Sequence, residues 1–389
     1  MTEQTGRRAE RRPSGSPGSL PSLRRLGRAA LPVSAVAVFV LFAGAVLRSA
    51  GDTLGFDFLA YHQAARRILD GLPLYDLAFE SAGGFGLFYY PPPFAVLLLP
   101  LGLLDPTVAT WVWTGLLVGA FGLGVALLPV APAVRWTTVL LAGLSWPFLY
   151  ALKLGQIGPI LFLLFAAGWR WLDDPARLGV SAGLGAILKI QPGLVLVWAL
   201  LTRRWRAVVA GAALIGVAAL VAAVVTGPGS WLDYAVLLRR VSDPITTAHN
   251  FTPGAMAWQL GAPIAIAAAV QVATTLLVLG VVVVAALRAS AESSYLVVVV
   301  ASQLLSPILW DHYALLLLLP TAWLLQRGHW WAVAMPLATA LPLVGLMPPL
   351  VYPLSFTAGL LLPLVFGLRD GRVPGPVRPT VKGPAGATG

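Results

Sequence analysis

Residues 55–76 read "GFDFLAYHQAARRILDGLPLYD", and this polar stretch decides the fold through what flanks it. Before it, the apolar run from Ala30 to Arg48 has the length of a membrane anchor rather than of a signal-peptide core. After it, the chain is apolar almost to its end. Within it, Asp57 is followed by Tyr61, Ala64, Ala65 and Leu69 at helical spacing. That pattern predicts a short amphipathic helix over 57–69, lying along the membrane interface just beyond the first span. Composition agrees: of 389 residues, 58% are hydrophobic and only 11% charged, and the mean hydropathy is +0.83. A soluble chain of this length needs far more charged surface to cover its core. The sequence therefore predicts an all-α polytopic membrane protein. It has no cysteine, which excludes disulfides and thiolate metal sites.

The net charge of +11 raises the question of nucleic acid, and the placement of the charges answers against it. Seven arginines lie in the first 28 residues, and Arg203, Arg204, Arg206, Arg288, Arg327, Arg369 and Arg372 sit beside the ends of apolar segments. This is the positive-inside pattern of cytoplasmic loops. The loop from Asp52 to Leu87 is net acidic, with Asp52, Asp57, Asp70, Asp76 and Glu80 against Arg66 and Arg67, and belongs outside. Residues 1–29 and 369–389 are rich in Arg, Pro, Ser and Gly without apolar period, so both are expected to be disordered cytoplasmic tails around a single membrane unit, residues 30–368.

Spanning segments are predicted to begin near Ala30, Pro106, Arg135, Gln156, Arg206, Pro263, Ser293, His329 and Pro349, with a shorter one over Trp310 to Gln326. Two further places are too short for a simple span. From Pro93 to Leu104 the helix would reach only about 18 Å against a hydrocarbon core of about 30 Å. In "ARLGVSAGLGAILKIQPGLVLVWALLTRRWR", Lys189 and the Gln191-Pro192 pair interrupt the run. Either one long helix carries a lysine near its middle, or two half-helices form a re-entrant hairpin with its tip at Lys189. If the Pro93 segment returns to the outer face and the Lys189 segment is a hairpin, the arginines fall inside and "LKLGQIGP", "LKIQP", "TTAHNF" and "SPILWDHY" join Asp57 outside. If every segment crosses, Lys153 and Gln156 move to the inner face.

A charge at membrane depth costs about 2.5–3.5 kcal/mol on insertion scales and needs a partner, a wet cavity or a function. Lys153, Lys189, Asp311 and His312 are the ones this chain keeps, with Gln156, Gln191, Trp310 and Tyr313 as polar or aromatic neighbours. Lysines lining an outer cavity would attract a phosphate; alternatively they snorkel to headgroups. Asp57 could equally serve as the N-cap of a helix starting at Phe58. His62 and His329 read as surface or interface residues. His62, about 500° around the helix from Asp57, points away from it, whereas Tyr61 shares its face.

Taken in order, "GFDFLAYHQAARRILDGLPLYD", "FYYPPPFAVLLLPLGLL", "LKLGQIGPILFLL", "GAILKIQPGLVLVWALLTRRWRA", "HNFTP" and "LSPILWDHYALLLLLP" resemble glycosyltransferase family 87 over nearly the whole chain outside the tails. These are integral-membrane mannosyltransferases of actinobacteria with a GT-C type fold, which use polyprenyl-phosphate-mannose as donor. The resemblance implies about 11–12 transmembrane or re-entrant helices with an outer juxtamembrane helix. It implies that Asp57, in the first outer loop, is the catalytic base. Asp311 and His312 match the family's late Asp-His pair, and Lys189 with Pro192 its lysine-proline element, here separated by Ile190 and Gln191. Lys189 is the expected partner of the donor phosphate, with Lys153, His312, Arg239 and Arg240 as further cations. Gln156, Tyr61, Asp311, His249 and Asn250 are expected to complete substrate binding. The family's Gly-Gln motif usually continues with a small apolar residue and Asn; here Gly155, Gln156 and Ile157 are followed by Gly158. Many GT-C enzymes carry two acids in the first loop and use a divalent metal; around Asp57 stand Phe58 and Leu59 and no second carboxylate, so a metal is not implied, and no cofactor is expected.

The implied partners are a polyprenyl-phosphate-sugar donor, a lipid-linked glycan acceptor (a phosphatidylinositol mannoside or lipoglycan) and membrane lipids, with no nucleic acid. The implied product has an inverted, α-1,2 linkage; transfer of another sugar, such as arabinofuranose, remains an alternative. A transporter or lipid flippase would also use broken helices and buried charges, but no internal repeat relates the halves of this chain, and its polar motifs gather at one face. A non-enzymatic scaffold gives no reason to keep Lys189 and Asp311.

Overall fold

The computed structural model describes residues 21–77, 86–241, 245–247, 249–346 and 348–371. Most of both predicted tails, and Glu80 of the acidic loop, lie outside the described residues. In chain order, α1 (Pro21–Ser49) leads through a short turn to α2 (Phe56–Leu69). Two short helices follow, α3 (Pro92–Leu97) and α4 (Leu99–Gly102), then the long α5 (Pro106–Leu127). Next come α6 (Pro132–Leu144), α7 (Trp146–Leu154) and α8 (Gly158–Arg170). Helices α9 (Pro175–Leu188) and α10 (Leu194–Leu201) flank a turn at 191–193, and α11 (Trp205–Thr226) is again long. Helices α12 (Gly229–Val241) and α13 (Pro253–Gln259) precede α14 (Ile264–Arg288) and α15 (Ala291–Leu304). A 3-10 turn over Asp311–Leu317 opens α16 (Leu318–Gln326), and α17 (Ala334–Leu337) and α18 (Val351–Asp370) complete the chain.

Prolines and acids punctuate these elements as local chemistry dictates. Proline occupies the first turn of α5, α6, α9 and α13, where its missing N–H is not needed. Asp105 caps α5 by accepting from the Thr107 and Val108 amides, and Asp174 caps α9 by accepting from Arg177 N.

Among the described residues, five helices are long and apolar enough to cross a membrane: residues Ala30–Ser49 of α1, then α5, α11, α14 and residues Val351–Asp370. The remaining apolar segments are built from shorter pieces. Helices α7 and α8 meet at 120°. The Lys189 region is two helices rather than one long one, and the Pro93 region is two helices of 6 and 4 residues. The segment from His329, expected to span, is a few short turns and α17, because Pro336 and Pro342 each remove a helical hydrogen bond. Such interrupted backbone is tolerated at membrane depth where protein surrounds it. Accordingly, every residue of α15 from Ser293 to Leu304 is buried, within a core formed with α8, α10, α14 and α18.

Candidate active site

Asp57 owes its position to two glycines in close approach. Gly55 adopts the left-handed conformation (φ 72°) at the start of α2, and its amide donates to Lys153 O at 2.7 Å. Gly155, at the end of α7, is also left-handed (φ 72°), and a Cβ there would lie 2.6 Å from Phe58 Cβ. Its carbonyl accepts from Trp113 Nε1 at 2.7 Å. Any other residue at either point would pay both strain and collision. Helix α2 therefore begins at Phe56 with Gly55 as its cap, which corrects the alternative reading of Asp57 as an N-cap before Phe58. Asp57 instead sits in the first turn, free to point its carboxylate across to the α7–α8 bend.

There Gln156 meets it. Gln156 Nε2 donates to Asp57 Oδ2 at 2.6 Å. The amide oxygen of Gln156 is 3.2 Å from the Tyr61 hydroxyl and 3.0 Å from that of Tyr90, and the two hydroxyls are 2.7 Å apart. Two hydroxyl protons serve these three contacts, so one phenol donates to the amide and the other to its fellow phenol. That arrangement fixes the amide with its N–H toward Asp57. Tyr61 itself is clasped edge-on by Phe58, Phe88, Tyr90, Phe94 and Trp113. His62 points away from Asp57, its Nε2 3.1 Å from Leu104 O.

Lys189 ends α9 in extended backbone, so its side chain leaves the helix axis. Its ammonium donates to the Tyr313 hydroxyl and lies 3.9 Å from that ring's centroid and 5.8 Å from that of Tyr90. Next along the chain, Gln191 donates to Ser306 Oγ at 2.9 Å. Asp311 accepts from His312 N at 2.8 Å and from Trp146 Nε1 at 3.2 Å. His312 is buried, with Nδ1 3.6 Å from Asp311 Oδ1 and no hydrogen-bond partner for either ring nitrogen among the described residues.

These groups line one cavity of about 1340 Å³. Of the residues predicted from sequence, Asp57, Tyr61, Lys153, Gln156, Lys189, Arg240, His249, Asp311 and His312 all border it. Because Gln156 bonds to Asp57, the topology in which Gln156 and Lys153 move to the opposite face is not the one formed. Two predicted residues fall elsewhere. Arg239 is exposed on α12 and does not reach the cavity, whereas its neighbour Arg240 borders it and donates to Leu77 O at 2.7 Å. Asn250 is fully buried behind the wall, where its side chain bonds Pro307 O and the amides of Thr252 and Leu309. It shapes the 305–310 loop rather than facing the cavity. Helical breaks supply most of the lining, but the aromatic residues Tyr90, Trp146, Tyr150, Tyr234 and Tyr352 were not singled out by the sequence. In an apolar membrane chain they read as ordinary core; only the "YYPPP" run around Tyr90 carried a signal.

Burial pushes the Asp57 carboxyl above the ordinary carboxylate range; His312, the Gln156 hydrogen bond and Lys189 draw it back, and Asp311 adds to the rise. Lys189 lies at the break, outside the membrane-length helices. Burial lowers its ammonium to about 7, with Asp57 opposing. The site thus holds a carboxylate with enhanced proton affinity and a cation held in low dielectric. Among the described residues no three His, Asp or Glu side chains converge as metal ligands would.

The model of glycosyltransferase family 87 matches residues 88–309. That stretch contains Lys153, Gln156 and Lys189, and stops short of Asp57 on one side and Asp311 on the other. A curated relative from Mycobacterium tuberculosis (strain ATCC 25618 / H37Rv), a polyprenol-phosphate-mannose-dependent alpha-(1-2)-phosphatidylinositol mannoside mannosyltransferase, is 33% identical over 205 residues. The aligned part covers 45% of this chain and 46% of that relative, so the similarity spans about half of each. No solved structure matches the chain. With the family model covering more than half of its length, this polytopic all-α protein belongs to glycosyltransferase family 87.

Proposed function

We propose that the protein transfers mannose from polyprenyl-phosphate-mannose to a hydroxyl of a lipid-linked glycan, a phosphatidylinositol mannoside or lipoglycan. In this reading residues 30–368 form the catalytic unit in the plasma membrane, and the cavity opens on the extracytoplasmic face. The observation that carries it is the Gln156–Asp57 hydrogen bond in the same cavity as Lys189. The mannosyl identity and the lipid donor draw support from the named mycobacterial relative.

The chemistry is a single displacement. The acceptor oxygen attacks the anomeric carbon of the β-linked donor while its proton passes to Asp57, and the bond from the anomeric carbon to the phosphate oxygen breaks. The electron pair leaves with the polyprenyl phosphate, and inversion yields an α linkage, by our reading α-1,2. Gln156 keeps one carboxylate oxygen occupied and turns the other toward the incoming hydroxyl. Partial burial strengthens Asp57 as a base, since proton transfer is most effective from a group whose pKa approaches the working pH. Lys189 meets the charge growing on the phosphate, in a setting where a cation is worth more than in water. Lys153 and Arg240 border the cavity around these groups and add cationic character, and His249 borders it as well.

The direct test is transfer in membranes holding the protein, with radiolabelled polyprenyl-phosphate-mannose, a phosphatidylinositol mannoside acceptor and Asp57→Asn as control. Labelled glycolipid formed by the native chain and lost in the variant supports the assignment. Undiminished transfer by Asp57→Asn removes Asp57 as the base, and transfer only from a polyprenyl-phosphate-arabinose donor replaces mannose with that sugar.

A further inference from the structure

One row of side chains runs along the cavity wall. It starts at Lys189, whose ammonium is 3.9 Å from the Tyr313 centroid. Tyr313 lies 4.9 Å from the His312 ring, His312 lies 6.3 Å from Tyr150, and Tyr150 stacks on Trp146 at 4.8 Å with planes only 15° apart. The row has a cation at one end and a parallel aromatic pair at the other. Asp57 lines the same cavity, held there by its hydrogen bond from Gln156.

The two ends suit different ligands. A phosphate belongs at Lys189, away from the carboxylate of Asp311. Between His312, whose Nδ1 is 3.6 Å from Oδ1, and the aromatic pair, Asp311 accepts from Trp146 Nε1 and retains lone pairs for further donors. Trp146 and Tyr150 are both half-buried residues that line the cavity. A flat apolar surface beside a carboxylate is complementary to a pyranose, which has C–H groups on one face and hydroxyl donors on its rim. Displacement at an anomeric carbon places nucleophile and leaving group on opposite sides of that carbon, so a phosphate at Lys189 puts the acceptor toward Trp146. Size agrees: pockets for one small ligand run about 300–1,000 Å³, and this cavity of about 1340 Å³ has room for a second sugar beside the donor's.

We infer that the Trp146–Tyr150 stack and Asp311 form the acceptor subsite, seating a pyranose of the acceptor glycan with its C–H face on the aromatic pair and its hydroxyls donating to Asp311. This rests on the glycosyl-transfer reading above; it adds Trp146 and Tyr150 and gives Asp311 a specific ligand.

The experiment measures KM for acceptor and donor separately in the full-length protein. Trp146→Ala, Tyr150→Ala and Asp311→Asn are expected to raise acceptor KM by about tenfold or more while leaving donor KM within about twofold, as lost substrate positioning predicts. Trp146→Phe, which keeps a ring but drops the N–H to Asp311, should fall between and guards against simple misfolding. In the native protein, methyl α-mannoside should inhibit competitively against acceptor and not against donor. A raised donor KM with unchanged acceptor KM, or competition against donor alone, overturns the subsite. Failure of the native protein to transfer mannose to any acceptor would instead overturn the glycosyl-transfer reading, so the two failures are distinguishable.

Discussion

Helix α11 and the α9–α10 segment pack side by side, are both strongly apolar, and have opposite fates. Helix α11 runs unbroken for 22 residues, and only 11% of its most apolar window is buried inside the protein. Every backbone amide in its middle bonds within the helix, so it needs nothing from its neighbours and can face lipid. The α9–α10 segment stops at Leu188, turns through 191–193 and resumes at Leu194. Its freed backbone must be surrounded by protein, and the break sends Lys189 out of the helix toward the cavity. The bend between α7 and α8 does the same for Gln156, and the interruption after α15 does it for Asp311 and His312. In this fold the longest intact helices present apolar surface outward, and the interrupted ones supply much of the polar lining of the cavity.

The strongest way to break that comparison is at the site the interruptions build. Asp57→Asn keeps the shape and hydrogen-bonding reach of the side chain but cannot take a proton; kcat should fall by about 10²–10⁴-fold, with protein abundance and melting temperature unchanged. A loss smaller than tenfold would mean that the polar breaks converge on something other than the reacting hydroxyl.

The pH profile sharpens the same point. In the proposed transfer Asp57 works ionised, and its pKa is raised, so kcat/KM should climb with pH through a value above the ordinary carboxylate range. Lys189 works charged and its pKa is lowered to about 7, so activity should fall as pH rises beyond neutrality. The two groups interact, and the limbs of the bell therefore belong to the pair. Lys189→Arg, which stays charged throughout, should flatten the alkaline limb and keep the acid one. Gln156→Leu removes a hydrogen bond that favours the carboxylate, so its acid limb should move to higher pH. Rates measured from pH 5 to 9 decide all three; an unchanged alkaline limb in Lys189→Arg would remove Lys189 from the donor site.

Gly155→Ala tests the junction rather than the chemistry. The new methyl meets Phe58 Cβ at 2.6 Å on a backbone of positive φ, and the left-handed conformation alone costs about 1–2 kcal/mol. Thermal unfolding in detergent should shift downward by several degrees, and transfer should drop as α2 moves off the α7–α8 bend. A stable, fully active Gly155→Ala would show that the Asp57–Gln156 contact does not depend on this approach.

How much of this the sequence disclosed follows from the same physics. Unbroken spans announce themselves: α5, α11 and α14 begin within a few residues of the starts at Pro106, Arg206 and Pro263, because length and apolarity are local properties. The breaks were visible too, in the glycine and proline of "LKLGQIGP" and in "LKIQP". What they do in space was not, since one 13-residue helix cannot report whether it is a half-span or a buried rod; the segment after His329 was over-read because its apolar length was weighed above Pro336 and Pro342, which break it into short turns. Asp57, Gln156 and Lys189 stood out as polar groups in apolar surroundings. Trp146 and Tyr150 did not, since aromatic residues in a membrane chain resemble core until a cavity opens beside them. Asn250 and Arg239 lie off the cavity and show the opposite case: a polar residue beside a conspicuous motif can serve the loop or face the solvent.

The smallest expected effect tests the lipid-facing side of the comparison. Val224 lies near the end of α11 and is 79% exposed, in a row with Val217, Leu220 and Val221. If that row faces acyl chains, Val224→Leu exchanges one apolar contact with lipid for another and disturbs no packing; stability should stay within about 0.5 kcal/mol and transfer within roughly twofold. Val224→Asp at the same position should impair insertion, because a carboxylate costs about 2.5–3.5 kcal/mol at the centre of a span and part of that toward its end. The pair of substitutions separates lipid from water: a face bathed in water would tolerate the aspartate as readily as the leucine, and abundance of the two variants in isolated membranes reads the difference. Equal abundance would mean that α11 is exposed for another reason, and its contrast with the interrupted α9–α10 segment would then lie in sequence alone.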